Sequence, residues 1–262
     1  MQRIAATLDG IKKAGTPGIM AHMIAGFPDM ETSYRIGTEM AKGGASILEI
    51  QIPFSDPVTD GPIIQHASSQ ALQHGYTLEI YCGLVMQLRT TITIPIVVMT
   101  YANIAWAYGI DRFVTLLREC GADGVIIPDL PMETDEGLRD SCNNNNIALI
   151  PVAAPGCSPE RIQILSHYGS AFLYTAIRRG TTGTVSTFTE ETGSWLSCVA
   201  QNSVLPCAVG FGIQHREQVV ALAPFAQIAV AGSCIVRAVF DAVTCDHDPA
   251  IAAGEKVRAL VS

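Results

Sequence analysis

ILEIQIPFSDPVTDGPIIQ, residues 47–65, reads as a strand, a turn and the opening of a helix in immediate succession. Ile47, Leu48, Ile50 and Ile52 form an apolar run of strand length, two prolines and a glycine break it, and IIQHASSQAL then takes on a helical pattern. A short run that is apolar almost throughout suits a strand covered on both faces, as in parallel sheets. Glu49 interrupts that run. Strand alternation sends Leu48 and Ile50 to one face and Glu49 and Gln51 to the other. Asp56 and Asp60 follow in the turn, so a carboxylate inside a buried strand is joined by two more just past its end.

The same unit recurs along the chain. Strands are expected at 19–24, 46–52, 94–100, 124–128, 148–152, 171–176, 206–210 and 227–231. Helices are expected between them: 31–44, ending on Gly-Gly; 111–121, opening on an Asp cap; and 158–169, opening on Ser158 with Pro159 at the first helical position. The stretch MQRIAATLDGIKKAG adds an amphipathic helix before the first strand. Strands that alternate with helices pair in parallel, because each crossover has room for a helix. Eight such units in 262 residues predict an α/β fold, a single-domain (β/α)8 TIM barrel spanning 1–262 with an extra N-terminal helix. A doubly wound open sheet is the competing architecture. Its dinucleotide turn, GxGxxG after the first strand, is replaced here by AGFPD.

Composition narrows the function. Hydrophobic residues make up 48% and charged residues 15%, ample for one large core, and the net charge of −8 with no basic run argues against a nucleic-acid binder. The eight cysteines form no CxxC and the histidines show no metal-ligand spacing, so reduced core thiols are expected and no metal site. No stretch approaches the length of a membrane span, and a cytoplasmic location is expected.

In a barrel, chemistry belongs at the C-terminal ends of the strands. Glu49 should point into the barrel interior near that rim, either as an acid–base group or as a carboxylate held by a structural partner. Asp60, before Gly-Pro and a helical stretch, is either a second functional acid or a helix cap. Two carboxylates in unlike surroundings can take unlike roles. Glycine turns follow three consecutive late strands, in RRGTTGT (178–184), GFGI (210–213) and AGSCIVRAV (231–239). Such turns, with a helix N-terminus, suit a phosphate. Arg178 and Arg179 either assist there or are plain loop charges, and the small polar residues of 182–193 suit a loop.

With these residues in place, the chain resembles the α subunit of tryptophan synthase. LEIQIPFSDPVTDGPIIQ is similar to that family's LEIGIPFSDPxADGPxIQ signature. AGFPD (25–29), MTYAN (99–103), GADGVIIPDLP (121–131), APGCSPERI (154–162), FLYTAIRRGTTGT (172–184), AVGFGI (208–213) and AVAGSCIV (229–236) follow in family order. The resemblance implies cofactor-free retro-aldol cleavage of indole-3-glycerol phosphate to indole and glyceraldehyde 3-phosphate. It implies that Glu49 is the catalytic acid/base, that Asp60 accepts the indole N–H, and that Tyr174 is a hydroxyl near the glutamate. Tyr101, Ile127, Val152 and Phe211 would line the indole pocket; Gly183, Gly212, Gly232 and Ser233 would cradle the phosphate. It further implies a β subunit carrying pyridoxal phosphate, in an α2β2 complex, faced by the segments holding Pro53, Asp56, Asn103, Asp129 and Pro131.

Three positions depart from the family pattern. Gln51 stands where the signature has glycine, within reach of substrate or of Glu49. His22 stands where an apolar residue is usual, and RRGTTGT replaces the common SRxGVTG. Gln51 and His22 leave a second reading open, a catalytically weak subunit that docks on and activates the β partner; a third is a free-standing lyase with no partner, against which the partner-facing segments PFSDP and PDLP stand.

Overall fold

A computed structural model describes residues 1–177, 189–210 and 212–262. Nine strand segments, β1 (Gly18–Ile24), β2 (Ile47–Gln51), β3 (Ile96–Met99), β4 (Gly124–Ile126), β5 (Ala148–Leu149), β6 (Val152–Ala153), β7 (Leu173–Ala176), β8 (Cys207–Gly210) and β9 (Ile228–Ala231), join in the order β5-β4-β3-β2-β1-β9-β8-β7-β6. Every pairing is parallel. The two ends of that order, β5 and β6, are halves of one chain pass interrupted at Pro151. Ile150 N donates to Val125 O on one side, and Tyr174 N donates to Pro151 O on the other, so this pass closes the sheet on itself. Proline has no N–H for the ladder, which is why the strand expected over 148–152 appears as two short segments. The result is the eight-pass barrel read from the sequence, a TIM barrel.

Two apolar cores follow from the alternation. The outer one lies between sheet and helices, with Leu48 and Ile50 facing Ile36 and Met40 of the helix Met30–Lys42 and Phe113, Val114 and Leu117 of the helix Ile110–Glu119. The inner one fills the barrel with Met20, Ile47, Val97, Ile126, Ile150, Phe172, Ala208 and Ile228. The N-terminal helix Gln2–Ala14 contributes Ile4, Leu8 and Ile11 to the inner core. A side chain placed on Gly18, where β1 begins, would meet Ile11, so this helix plugs the N-terminal end of the barrel. Just beside it, buried Asp123 accepts from Arg3 Nη1 at 2.9 Å, Arg89 Nη2 at 2.7 Å and Ile96 N at 3.0 Å. The opposite, C-terminal mouth is left for the site.

Two helix expectations change in detail and one holds. The helix expected to open on Asp111 begins at Ile110 with Gly109 as its N-cap, because Gly109 supplies φ of +89° and lets Ile110 reach the core. Asp111 then lies in the first turn, where its charge favours the helix dipole. Ser158 caps Pro159–Tyr168 as expected, accepting from Arg161 N at 3.2 Å. Of the segment read as a loop over 182–193, residues 182–188 lie outside the described residues; at its end Thr189 caps a helix, Glu190–Asn202, by accepting from Thr192 N, and Trp195 Nε1 of that helix donates to Ala176 O at the end of β7.

Candidate active site

β2 is buried at every position, so its two polar side chains cannot reach bulk water. Glu49 is 3% exposed and Gln51 0%. Both share the interior face with Ile47. In the parallel register His22 of β1 stands opposite Glu49, and Val97 of β3 stands opposite on the other side. His22 is 7% exposed and brings Nδ1 to 3.2 Å from Glu49 Oε2. Among the described residues that oxygen has no aligned hydrogen bond, so the contact is an ion-pair contact with mainly Coulombic content.

One step nearer the rim, Gln51 Nε2 donates to Asp60 Oδ2 at 2.6 Å. Asp60 is 4% exposed, although it sits in a loop. Its side chain is free for this bond because Gly61, not Asp60, is the N-cap of the helix Pro62–Gln73, which starts on Pro62 at its first position. Asp60 N donates to Pro57 O and Asp60 O accepts from Gln65 Nε2, so the backbone on both sides is tied down. Next to it, Thr59 Oγ1 lies 2.7 Å from the Tyr101 hydroxyl, and Phe54 stacks on Tyr101 with ring centroids 5.2 Å apart. The loop is thereby folded over the end of β3.

Charges in this mouth act on one another. Burial would lower the His22 pKa, but the Glu49 carboxylate, and more weakly Asp60, outweigh it and hold the imidazole above its ordinary 6.5. Burial raises Asp60 above 3.8, opposed by the Gln51 bond, the His22 charge and Tyr101. The Tyr174 phenol is pushed well above 10.0 by burial and then by the Glu49 and Asp60 charges. Tyr101 is raised by burial and by Asp60 in the same way. Both phenols are therefore neutral donors at neutral pH.

The expected residues fall as follows. Glu49, Asp60, Tyr101, Val152 and Tyr174 gather at the barrel interior and its mouth; Val152 is the register partner of Tyr174. Gly210 lies under Tyr174: a side chain there would meet the phenol oxygen at 3.1 Å. Ile127 is buried in the outer core, beyond the end of β4. Gly232 is the N-cap of the helix Ser233–Thr244, which opens on Ser233, and Gly212 adopts φ of +64°. Gly183, Phe211, Arg178 and Arg179 lie outside the described residues. Among the segments that the resemblance turned toward a partner, Asp56, Asn103, Asp129 and Pro131 are exposed and Pro53 is buried. Asp129 Oδ1 accepts from Ala102 N, tying two of those segments together.

Gln51 was expected within reach of substrate or of Glu49, and its amide bonds Asp60 rather than Glu49. It lies two residues farther toward the rim, where the Asp60 loop folds back, while the cross-strand register gives Glu49 to His22. The sequence marks His22 and Gln51 as departures, but only the register between strands reveals that each meets one of the acids.

A closed parallel barrel with two buried acids of unlike surroundings at its C-terminal mouth defines an enzyme of the acid–base type. The family model "Tryptophan synthase alpha chain" matches residues 8–259. The tryptophan synthase alpha chain of Halalkalibacterium halodurans is 38% identical over 250 residues, 95% of this chain and 92% of its own length. That of Caldanaerobacter subterraneus subsp. tengcongensis is 37% identical over 237 residues, 90% of each. The crystal structure of tryptophan synthase subunit alpha from Legionella pneumophila strain Paris superposes with a TM-score of 0.90 at 30% identity, covering 99% of this chain and 97% of that one. This chain belongs to the tryptophan synthase alpha chain family.

Proposed function

We propose that this chain performs its family's lyase reaction, cleavage of indole-3-glycerol phosphate to indole and glyceraldehyde 3-phosphate in tryptophan biosynthesis, with Glu49 moving the protons and Asp60 holding the indole nitrogen. The observation that carries the assignment is a pair of buried carboxylates, Glu49 on the interior face of β2 beside an imidazole and Asp60 from the loop beyond it beside an amide. Glu49 delivers a proton to the indole ring carbon that bears the side chain. It accepts the proton of the hydroxyl on the adjacent side-chain carbon. The bond between those carbons breaks, its electron pair returns to the ring, and the hydroxyl carbon leaves as an aldehyde. Positive charge on the indole nitrogen rises before that break, and Asp60 accepts the N–H and offsets the charge. General acid–base help of this kind contributes roughly 10²–10⁴-fold. Tyr174 supplies a neutral hydroxyl near Glu49, and Tyr101, Val152 and Phe211 give the ring apolar contact.

Gly183, Gly212, Gly232 and Ser233 take the phosphate, which gains from backbone N–H groups and the N-terminal dipole of the helix Ser233–Thr244. No cofactor is assigned to this chain; the pyridoxal phosphate belongs to a β subunit, with which it forms an α2β2 complex in the cytoplasm. Among the described residues no helix is long and apolar enough to cross a membrane, in keeping with that setting.

The 2.6 Å bond from Gln51 to Asp60 favours one alternative, since the amide occupies an oxygen that the indole would use. On that reading the chain cleaves weakly and serves mainly to dock on and activate the β subunit. Indole release from indole-3-glycerol phosphate, measured with and without added β subunit, separates the two. The proposal expects cleavage that rises when β is present. No cleavage in either condition, with the β reaction still stimulated, would establish the docking role instead.

A further inference from the structure

We propose that His22 is a positioning residue for Glu49, its imidazolium fixing the buried carboxyl group in orientation for proton transfer. The inference rests on the assignment of Glu49 as the proton-transfer group. Glu49 lies in a strand buried at every position, so its carboxyl group depends on neighbouring side chains for its polar contacts. The groups that face this level of the barrel are His22 from β1, Gln51 from β2, Asp60 from the loop beyond it, Tyr101 from the end of β3 and Tyr174 from β7. Asp60 and the two phenols bring negative or neutral character, and Gln51 is spent on Asp60. Of these groups, His22 is the one that can bring a positive charge. It stands directly across the strand pair with Nδ1 at 3.2 Å from Oε2.

The surroundings of His22 fit a group held by that contact. Its other ring nitrogen, Nε2, is buried and has no hydrogen-bond partner among the described residues, so no second bond fixes the ring. On its far side Gly232 lies close: a side chain at 232 would touch the imidazole at 3.6 Å. The upward displacement of the His22 pKa against its own burial is what an ionised neighbour produces. The sign is that of a folded state that binds the imidazole proton more tightly than the unfolded chain does. The favourable pairing is therefore complete below pH 6.5 and fades as pH rises through the folded pKa of His22.

The consequence for turnover concerns kcat. With an uncharged residue at position 22, the Glu49 carboxyl group would lose its ionic contact. In His22→Gln and His22→Phe kcat should therefore fall by roughly tenfold or more with KM little changed. His22→Gln keeps a polar side chain without the charge, so agreement between the two variants separates charge from packing. Independently of turnover, the His22 imidazole can be titrated by NMR in the wild type and in Glu49→Gln. Its midpoint should fall by about 1 unit or more in the variant. An unchanged midpoint in Glu49→Gln, or a His22→Gln kcat equal to that of the wild type, overturns the proposal. A wild type that releases no indole, with the NMR coupling intact, overturns the assigned reaction and leaves the ionic pair standing. Should the His22 variants fail to fold, the Glu49→Gln titration decides alone.

Discussion

Gln51 and Asp60 show what one side chain does to another when neither reaches water. The amide gives its N–H to Asp60 Oδ2 at 2.6 Å and keeps its own Oε1 buried without a partner among the described residues. A hydrogen bond to a charged acceptor is worth about 1.5–3 kcal/mol, and an orphaned polar atom costs about 1–3 kcal/mol. The bond must therefore be favourable enough to offset the orphan. Comparing urea denaturation of Gln51→Ala, Asp60→Ala and the double variant gives the coupling directly. It should be about 1.5 kcal/mol or more at neutral pH; below about 0.5 kcal/mol the two side chains would be mere neighbours. At this scale the sequence is informative about identity and poor about pairing. Glu49, an acid at an apolar position, is conspicuous in any window. That it faces His22 follows from a β1–β2 register joining residues 27 positions apart, which no local pattern encodes.

The elements were legible where their chemistry is local. Alternation and length locate the strands, Ser158 and Pro159 locate a helix start, and Gly-Gly ends another. Asp60 and Asp111 were harder, because an Asp near a helix start can cap, lie in the first turn, or turn away to a tertiary partner; here Gly61 and Gly109 take the cap positions. The closing pass was hardest. ALIPV reads as one strand, and Pro151 divides it into a half that bonds β4 and a half that bonds β7. Gly169 guards that division: a Cβ there would lie 2.2 Å from the Pro151 ring and 3.1 Å from Leu149 O. Gly169→Ala should cost about 1–3 kcal/mol through overpacking, read as a lowered urea midpoint. A midpoint equal to the wild type would mean that this seam gives way without strain.

Across the whole molecule the two ends of the barrel divide the labour. The N-terminal helix and the Arg3–Asp123–Arg89 cluster close one end. The other end gathers Glu49, Asp60, Tyr101, Tyr174 and the glycine turn at Gly232 from β2, β3, β7 and β9 and their loops. The fold followed from the repetition of βα units, and the acids followed from their apolar surroundings. The glycine turns at Gly212 and Gly232 were legible in the sequence, and the phosphate role proposed for them rests on backbone N–H groups that only such turns mark. The central claim is that this mouth cleaves indole-3-glycerol phosphate by proton transfer through Glu49. Indole release by Glu49→Gln, with folding checked by circular dichroism and thermal melting, tests it most directly. The variant should fold like the wild type and lose roughly 10²–10⁴-fold in turnover; a folded variant within about threefold of the wild type would contradict the claim.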